Sequence, residues 1–156
     1  MRRTFFEELH KAMGNDPDIW ALTGDLGWGG FDKIREDFPK RFVNCGASEQ
    51  AMLDIAVGLA LKGKKPFVYT ITSFYLRAAE TISLYLSHEQ IPVFLVGSGR
   101  GQDYKHDGFS HDATVAQQFL KDMDITTFYP KEKEKVPETL EMILRMNKPC
   151  FLSLKR

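Results

Sequence analysis

The stretch "CGASEQAM", residues 45–52, puts a single acid, Glu49, into the first turn of what becomes a nearly all-apolar helix. The helix dipole favours a carboxylate there by ~0.3–1 kcal/mol, which needs no further role. The alternative is an acid held against apolar neighbours for proton exchange. Ser48 is placed to serve as N-cap, although Glu49 is not at the capping-box offset from it. Position alone favours the helix-end charge. Further along, "GSGRGQDYKHDGFSH" gathers Asp103, His106, Asp107 and His111, donors and acceptors suited to a polar substrate. Their spacing matches no common metal-ligand set. Gly97, Gly99 and Gly101 do not form a dinucleotide fingerprint, which requires G-x-G-x-x-G leading straight into a helix of the first βαβ unit. Cys45 as a nucleophile would need a base and an oxyanion site, and nothing in the sequence fixes His106 or His111 on it. A small buried hydrophobe is the simpler role.

These residues must be positioned by the elements around them. Phe5, Phe6, Leu9, Ala12 and Met13 recur at helical spacing, and "GNDPD" stops that helix. "IWALTGDLG" and "RFVNCG" read as short strands. Residues 48–62 read as a helix apolar over most of its circumference, hence buried on several sides, with Gly63 closing it. "PFVYTIT" is a third strand, followed by a helix from Ser73 to about His88 that buries Tyr75, Ala78, Ala79, Ile82, Tyr85 and Leu86. "IPVFLVGSG" is a strongly apolar strand, and the polar segment after it is too long for a simple connector. A helix from about Asp112 to Met123, strand "ITTFYP", a helix with Val136, Leu140, Ile143 and Leu144 on one face, and strand "PCFLSL" complete the chain.

Strands alternating with helices predict an α/β fold: a three-layer α/β/α domain around a mainly parallel, about six-stranded sheet. All 156 residues fit one domain. Ligands in such folds bind beyond the carboxyl ends of the strands, which here carry "TGDLG", "NCGASEQ", "TITSF" and "GSGRGQDYKHDGFSH". Lys and Arg balance Asp and Glu at 21 each, so no net field recruits nucleic acid or an anionic membrane. The basic N-terminus is amphipathic rather than continuously apolar, and no run reaches the ~18 residues of a membrane span. The two cysteines, far apart, suit reduced thiols. A cytoplasmic location is expected.

Two longer stretches resemble a known family. "FPKRFVNCGASEQAMLDIAVGLALKGKKPFVYTITSF" and "VGSGRGQDYKHDGFSH" are similar to the pyrimidine-binding domain of the transketolase and 1-deoxyxylulose-5-phosphate synthase family. The shared pattern is FP-x-RF-x-N-x-G, x-EQ, A-x-GLAL-x-G, P-x-x-YTI-x-SF and DG-x-SH, within a resemblance that runs from about Phe5 to Leu154. It implies thiamine diphosphate chemistry. In this family a glutamate at the position of Glu49 hydrogen-bonds N1′ of the aminopyrimidine and favours the imino tautomer. The 4′-nitrogen then deprotonates thiazolium C2, and the carbon so formed moves a two-carbon fragment from a ketose to an aldehyde. Apolar surroundings (Met52, Ile71, Phe74) would penalise the charged form of Glu49 and suit proton sharing.

The resemblance further implies that Asp25 and Leu26 lie beside the cofactor and that Ile71 and Phe74 pack on its pyrimidine. Ile71 replaces a residue that is usually aromatic. Arg77 falls where some relatives place a polar or basic cofactor contact. Asp107 and His111 would bind sugar hydroxyls, with His111 also counted among the catalytic residues. The chain lacks the histidine that transketolases carry near the position of Gly99, which leaves sugar specificity open. It also lacks the family's diphosphate-binding GDG motif and the Asn that follows it, and it stops at Lys155-Arg156 where larger relatives continue. The expectation is therefore a split enzyme. A separate diphosphate-binding subunit carrying Mg2+ or Ca2+ would join this chain in a hetero-oligomer built on a homodimer-like core. The substrate would be a sugar or a keto acid. The alternatives are a non-catalytic scaffold or regulatory subunit, the pyrimidine-binding subunit of a keto-acid decarboxylase or acyloin synthase, and, more remotely, a flavodoxin-type binding domain.

Overall fold

The computed structural model describes residues 1–156. In chain order the elements are α1 (Arg2–Asn15), β1 (Ile19–Thr23), α2 (Asp32–Asp37), β2 (Phe42–Asn44), α3 (Glu49–Leu61) and β3 (Lys65–Ile71). A mixed helical segment comes next, and its middle piece is α4 (Ala79–Thr81). The remainder is β4 (Phe94–Ser98), α5 (Thr114–Asp122), β5 (Thr126–Phe128), α6 (Val136–Met146) and β6 (Cys150–Leu154). The six strands form one sheet in the order β2-β1-β3-β4-β6-β5, and every pairing is parallel. This is the α/β sandwich that the strand–helix alternation predicts. The flavodoxin-type alternative fails on topology, because β6 lies between β4 and β5 instead of the sheet closing in the order 2-1-3-4-5.

Side-chain alternation along the strands divides the core into two layers. Phe67, Tyr69, Phe94, Val96, Cys150, Leu152 and Leu154 face α1 and α6, where they meet Phe5, Leu9, Met13, Leu140 and Ile143. Val68, Leu95 and Phe151 face the other way, onto Met52, Leu53, Ala56, Tyr75, Ile82 and Leu120. Strands covered on both faces need apolar residues at consecutive positions, which is why these runs do not alternate with polar residues. No helix is long and apolar enough to cross a membrane.

The segment after β3 is not the regular helix that its spacing suggests. Residues Thr72–Ala78 wind as a 3-10 helix, Ala79–Thr81 as α4 and Ile82–His88 as a π-helix. A tight stretch followed by a wide one keeps the average pitch near helical, so Tyr75, Ala78, Ile82 and Leu86 still share a buried face. Tyr85, expected inside, is instead 43% exposed. The tight winding is fixed by Tyr75. Its hydroxyl donates to the Val68 carbonyl at 2.7 Å and accepts the Val96 N–H at 2.9 Å, tying the segment to β3 and β4. Tyr75→Phe leaves those buried groups without this partner and is expected to cost about 1–3 kcal/mol. Urea unfolding should show a lower midpoint at unchanged slope.

Candidate functional site

Between β1 and β3 the strand order reverses, since the chain runs outward from β1 to β2 and then returns to β3. Crevices for ligands form at the carboxyl ends of such pairs. The turn after β1 is stapled to the end of β2 by Asn44. Its Oδ1 accepts the N–H of Asp25 and of Gly46, each at 3.0 Å, and its Nδ2 donates to Asp25 Oδ1 at 3.2 Å. These bonds hold Asp25 at φ +58, a left-handed conformation that Asp tolerates better than most residues. Asp25 is exposed, and the half-buried Leu26 gives its carbonyl to the Thr23 hydroxyl at 3.0 Å.

Glu49 is the first residue of α3 and is only 4% exposed. Ser48 does not cap the helix with its side chain as expected. It is exposed, and its contribution is the backbone carbonyl that accepts the Met52 N–H at 3.0 Å. Glu49 Oε2 lies 3.1 Å from Nε of Arg77. The approach brings the charges together but does not align the N–H, so buried Oε2 has no hydrogen-bond donor. Met52 is fully buried beside this end of α3.

The 3-10 stretch that carries Arg77 also carries Ser73 and Phe74. Ser73 donates to the Ser110 carbonyl at 2.8 Å, which ties the stretch to the "DGFSH" segment. That segment is two short 3-10 turns, Lys105–Asp107 and Phe109–His111. The tie places the His111 ring edge-on to Phe74, with centroids 5.2 Å apart. Asp107 sits on the outer side, 3.3 Å from His106, whose ring also meets the Arg156 guanidinium at 2.7 Å.

Ile71 and Leu26 belong to a neighbouring cleft of about 980 Å³ between α1, the turn after β1 and Tyr104. The structure thus brings the expected residues together in three groups: Glu49 with Arg77, Phe74 with His111, and Leu26 with Ile71. Asp25 lines an adjoining smaller hollow with Asn44 and Arg35, and Leu26 lines both this hollow and the cleft.

Sequence reasoning missed the cleft itself. Arg2, Arg3, His10, Lys11, Lys33 and Arg156 line it, against a single acid, Glu7. Buried Tyr104 closes its floor, bonded to Arg2 at 2.9 Å and to Ser98 at 2.8 Å. The signal was present in the basic positions on α1, which read only as amphipathic character. No linear pattern shows that they meet the last residue of the chain.

The other candidates receive ordinary roles. A Cβ on Gly97 would come within 2.5 Å of the Thr72 hydroxyl and 2.6 Å of the Phe151 ring, so this glycine serves packing between layers. Gly99, at φ +87, lies under the Tyr104 ring. Burial pushes the Cys45 thiol up, which leaves less thiolate at neutral pH. Cys45→Ala is expected to leave turnover within about twofold, and iodoacetamide should label the native thiol slowly. No group of three or more His, Cys, Asp or Glu side chains is arranged to hold a metal.

Comparison with known proteins agrees with this fold. A 1-deoxy-D-xylulose-5-phosphate synthase from Clostridium perfringens is 30% identical over 155 residues, covering 98% of this chain and 25% of that protein. The 6-deoxy-6-sulfo-D-fructose transketolase subunit SqwH of a Clostridium species is 25% identical over 159 residues, covering 100% of this chain and 49% of the relative. Among solved structures, a split gene transketolase described as an inactive beta4 tetramer superposes with a TM-score of 0.86 at 24% identity, covering 99% of this chain and 51% of the other. The chain therefore spans a quarter to a half of the length of these relatives. The family model for the transketolase pyrimidine-binding domain matches residues 1–156, and the chain belongs to that family.

Proposed function

We propose that this chain is the pyrimidine-binding part of a thiamine diphosphate-dependent, transketolase-type enzyme that transfers a two-carbon ketol fragment between sugars, with Glu49 as the acid that activates the cofactor. The observation that carries the reading is a carboxylate almost wholly buried at the carboxyl edge of the sheet, with Oε2 lacking any hydrogen-bond donor. An acid in that state is costly unless a ligand completes it, and the N1′ position of an aminopyrimidine is a matching partner. Half-buried Phe74, on the same 3-10 stretch as Arg77, offers an apolar ring. Bound there, thiamine diphosphate supplies the carbon nucleophile. The chain's own part is to hold a proton between Glu49 and the ring nitrogen, to pack Phe74, Ile71 and Leu26 around the bound group, and to offer Asp25 beside it. Asp107 and His111 are assigned to substrate hydroxyls, an assignment supported for His111 by its edge-on packing with Phe74 and its 3.0 Å contact to the Ser110 hydroxyl.

Diphosphate and divalent-metal binding fall outside what these residues fit, since they form no metal-ligating group. That role is assigned to a separate diphosphate-binding subunit. Apolar residues without partners support such an assembly. α3 leaves Ile55 and Leu61 exposed, the π-helix leaves Leu84 and Tyr85 exposed, and Trp28 and Phe109 project at 86% and 91% exposure from the loops that rim the site. The relative SqwH is itself named a subunit. The basic cleft supports an anionic sugar as substrate, in keeping with relatives whose names carry a phosphate and a sulfonate.

Calorimetry tests the reading. Thiamine diphosphate with Mg2+ should bind tightly to a mixture of this chain and a partner carrying the GDG motif, and weakly to either alone. Tight binding to this chain alone would overturn the shared site.

A further inference from the structure

Arg77 stands in a relation to Glu49 that a simple cofactor contact does not explain. The acid is 4% exposed and the arginine side chain 69% exposed, yet Nε and Oε2 lie 3.1 Å apart. No other cation pairs with Glu49, and Arg77 makes no other ion pair and no hydrogen bond. The guanidinium thus leans from solvent over a buried carboxylate without the alignment that would lock it. It rides on the 3-10 stretch three residues after Phe74, and at 3.0 residues per turn the two side chains share one face.

Building on Glu49 as the cofactor-binding acid, we infer that Arg77 is an exchangeable counter-ion: it neutralises Glu49 while the site is empty of cofactor and gives the carboxylate up when an aminopyrimidine nitrogen arrives. A buried carboxylate with no partner is strongly destabilising, so an unassembled chain needs a substitute charge. A substitute that was fully hydrogen-bonded and buried would hold the acid against the ligand. One that is mostly solvated, with a single misaligned contact, loses little on leaving, because its charge returns to water. Arg77 is in this sense a positioning residue. It holds the Glu49 side chain in place, and its displacement is part of the loading equilibrium.

This reading and that of a direct cofactor contact differ in the sign of one measurement. If Arg77 must leave, Arg77→Gln removes a competing state, and the dissociation constant of thiamine diphosphate for the assembled enzyme falls about three- to tenfold. If Arg77 touches the bound cofactor, the same variant raises that constant. A rise, or no change, overturns the inference. A thermal double-mutant cycle on the chain alone gives a second arm that needs no cofactor. Arg77→Gln should lower Tm by about 3 °C with Glu49 present and leave it nearly unchanged in the Glu49→Gln background. Equal shifts in both backgrounds would show that the two side chains are not coupled and would also overturn it. Coupling in this cycle does not depend on catalysis, so it would survive a finding that Glu49 does not activate the cofactor.

Discussion

Glu49→Gln is expected to reduce turnover of the assembled enzyme by about 10²- to 10⁴-fold while leaving assembly intact. The amide has nearly the same shape and can still accept a hydrogen bond, but it cannot exchange a proton with a ring nitrogen. Assembly should persist because Glu49 is buried within its own chain rather than displayed on the exposed apolar faces of α3 and the π-helix. The variant should also unfold no more easily than the parent, since a buried carboxylate without a hydrogen-bond donor is replaced by a neutral group. Steady-state kinetics with size-exclusion chromatography of the same preparation would check both parts. Loss of activity together with loss of assembly would mean that the acid serves structure.

Removing a cation from the basic cleft should act on substrate capture. Lys33 makes no ion pair, and Arg156 meets His106, lies over the Tyr104 ring and bonds Asp103 through its backbone N–H but pairs with no carboxylate through its side chain, so both are available to an incoming anion. Arg156→Ala, and likewise Lys33→Ala, should raise KM for a phosphorylated or sulfonated ketose by about ten- to a hundredfold, the range of a charge-assisted hydrogen bond. kcat should change little, and a neutral ketose should be processed with an unaltered KM. Added salt should weaken the anionic substrate more than the neutral one. An equal effect on both sugars would mean that the cleft serves the fold rather than recognition.

The sheet was legible because strands buried on both faces must be apolar at consecutive positions, and "PFVYTIT", "PVFLVGS" and "PCFLSL" have no other economical reading. The helical character of residues 72–88 was legible as well, but its winding was not. The period records which residues face inward, and a 3-10 stretch followed by a π stretch preserves that record. The part played by Ser48 was misread for a related reason. A serine before a helix offers a side-chain oxygen, but only the backbone angles decide whether it reaches the amides, and at φ −136 and ψ 72 no such bond forms. Glu49 was found through the motif around it, whereas its pairing with Arg77 depends on the winding of a different element. The basic cleft was invisible because it joins α1, the turn after β1 and the last residue, brought together only by the order of strands.

Hydrogen–deuterium exchange at C2 of thiamine diphosphate, followed by NMR in the assembled complex, tests the central claim most directly, because it reads activation of the cofactor without any substrate. With the wild-type chain, exchange should be fast, and with Glu49→Gln it should slow by at least about 10²-fold at full cofactor occupancy. Equal exchange rates in the two complexes would contradict the assignment of Glu49 as the activating acid.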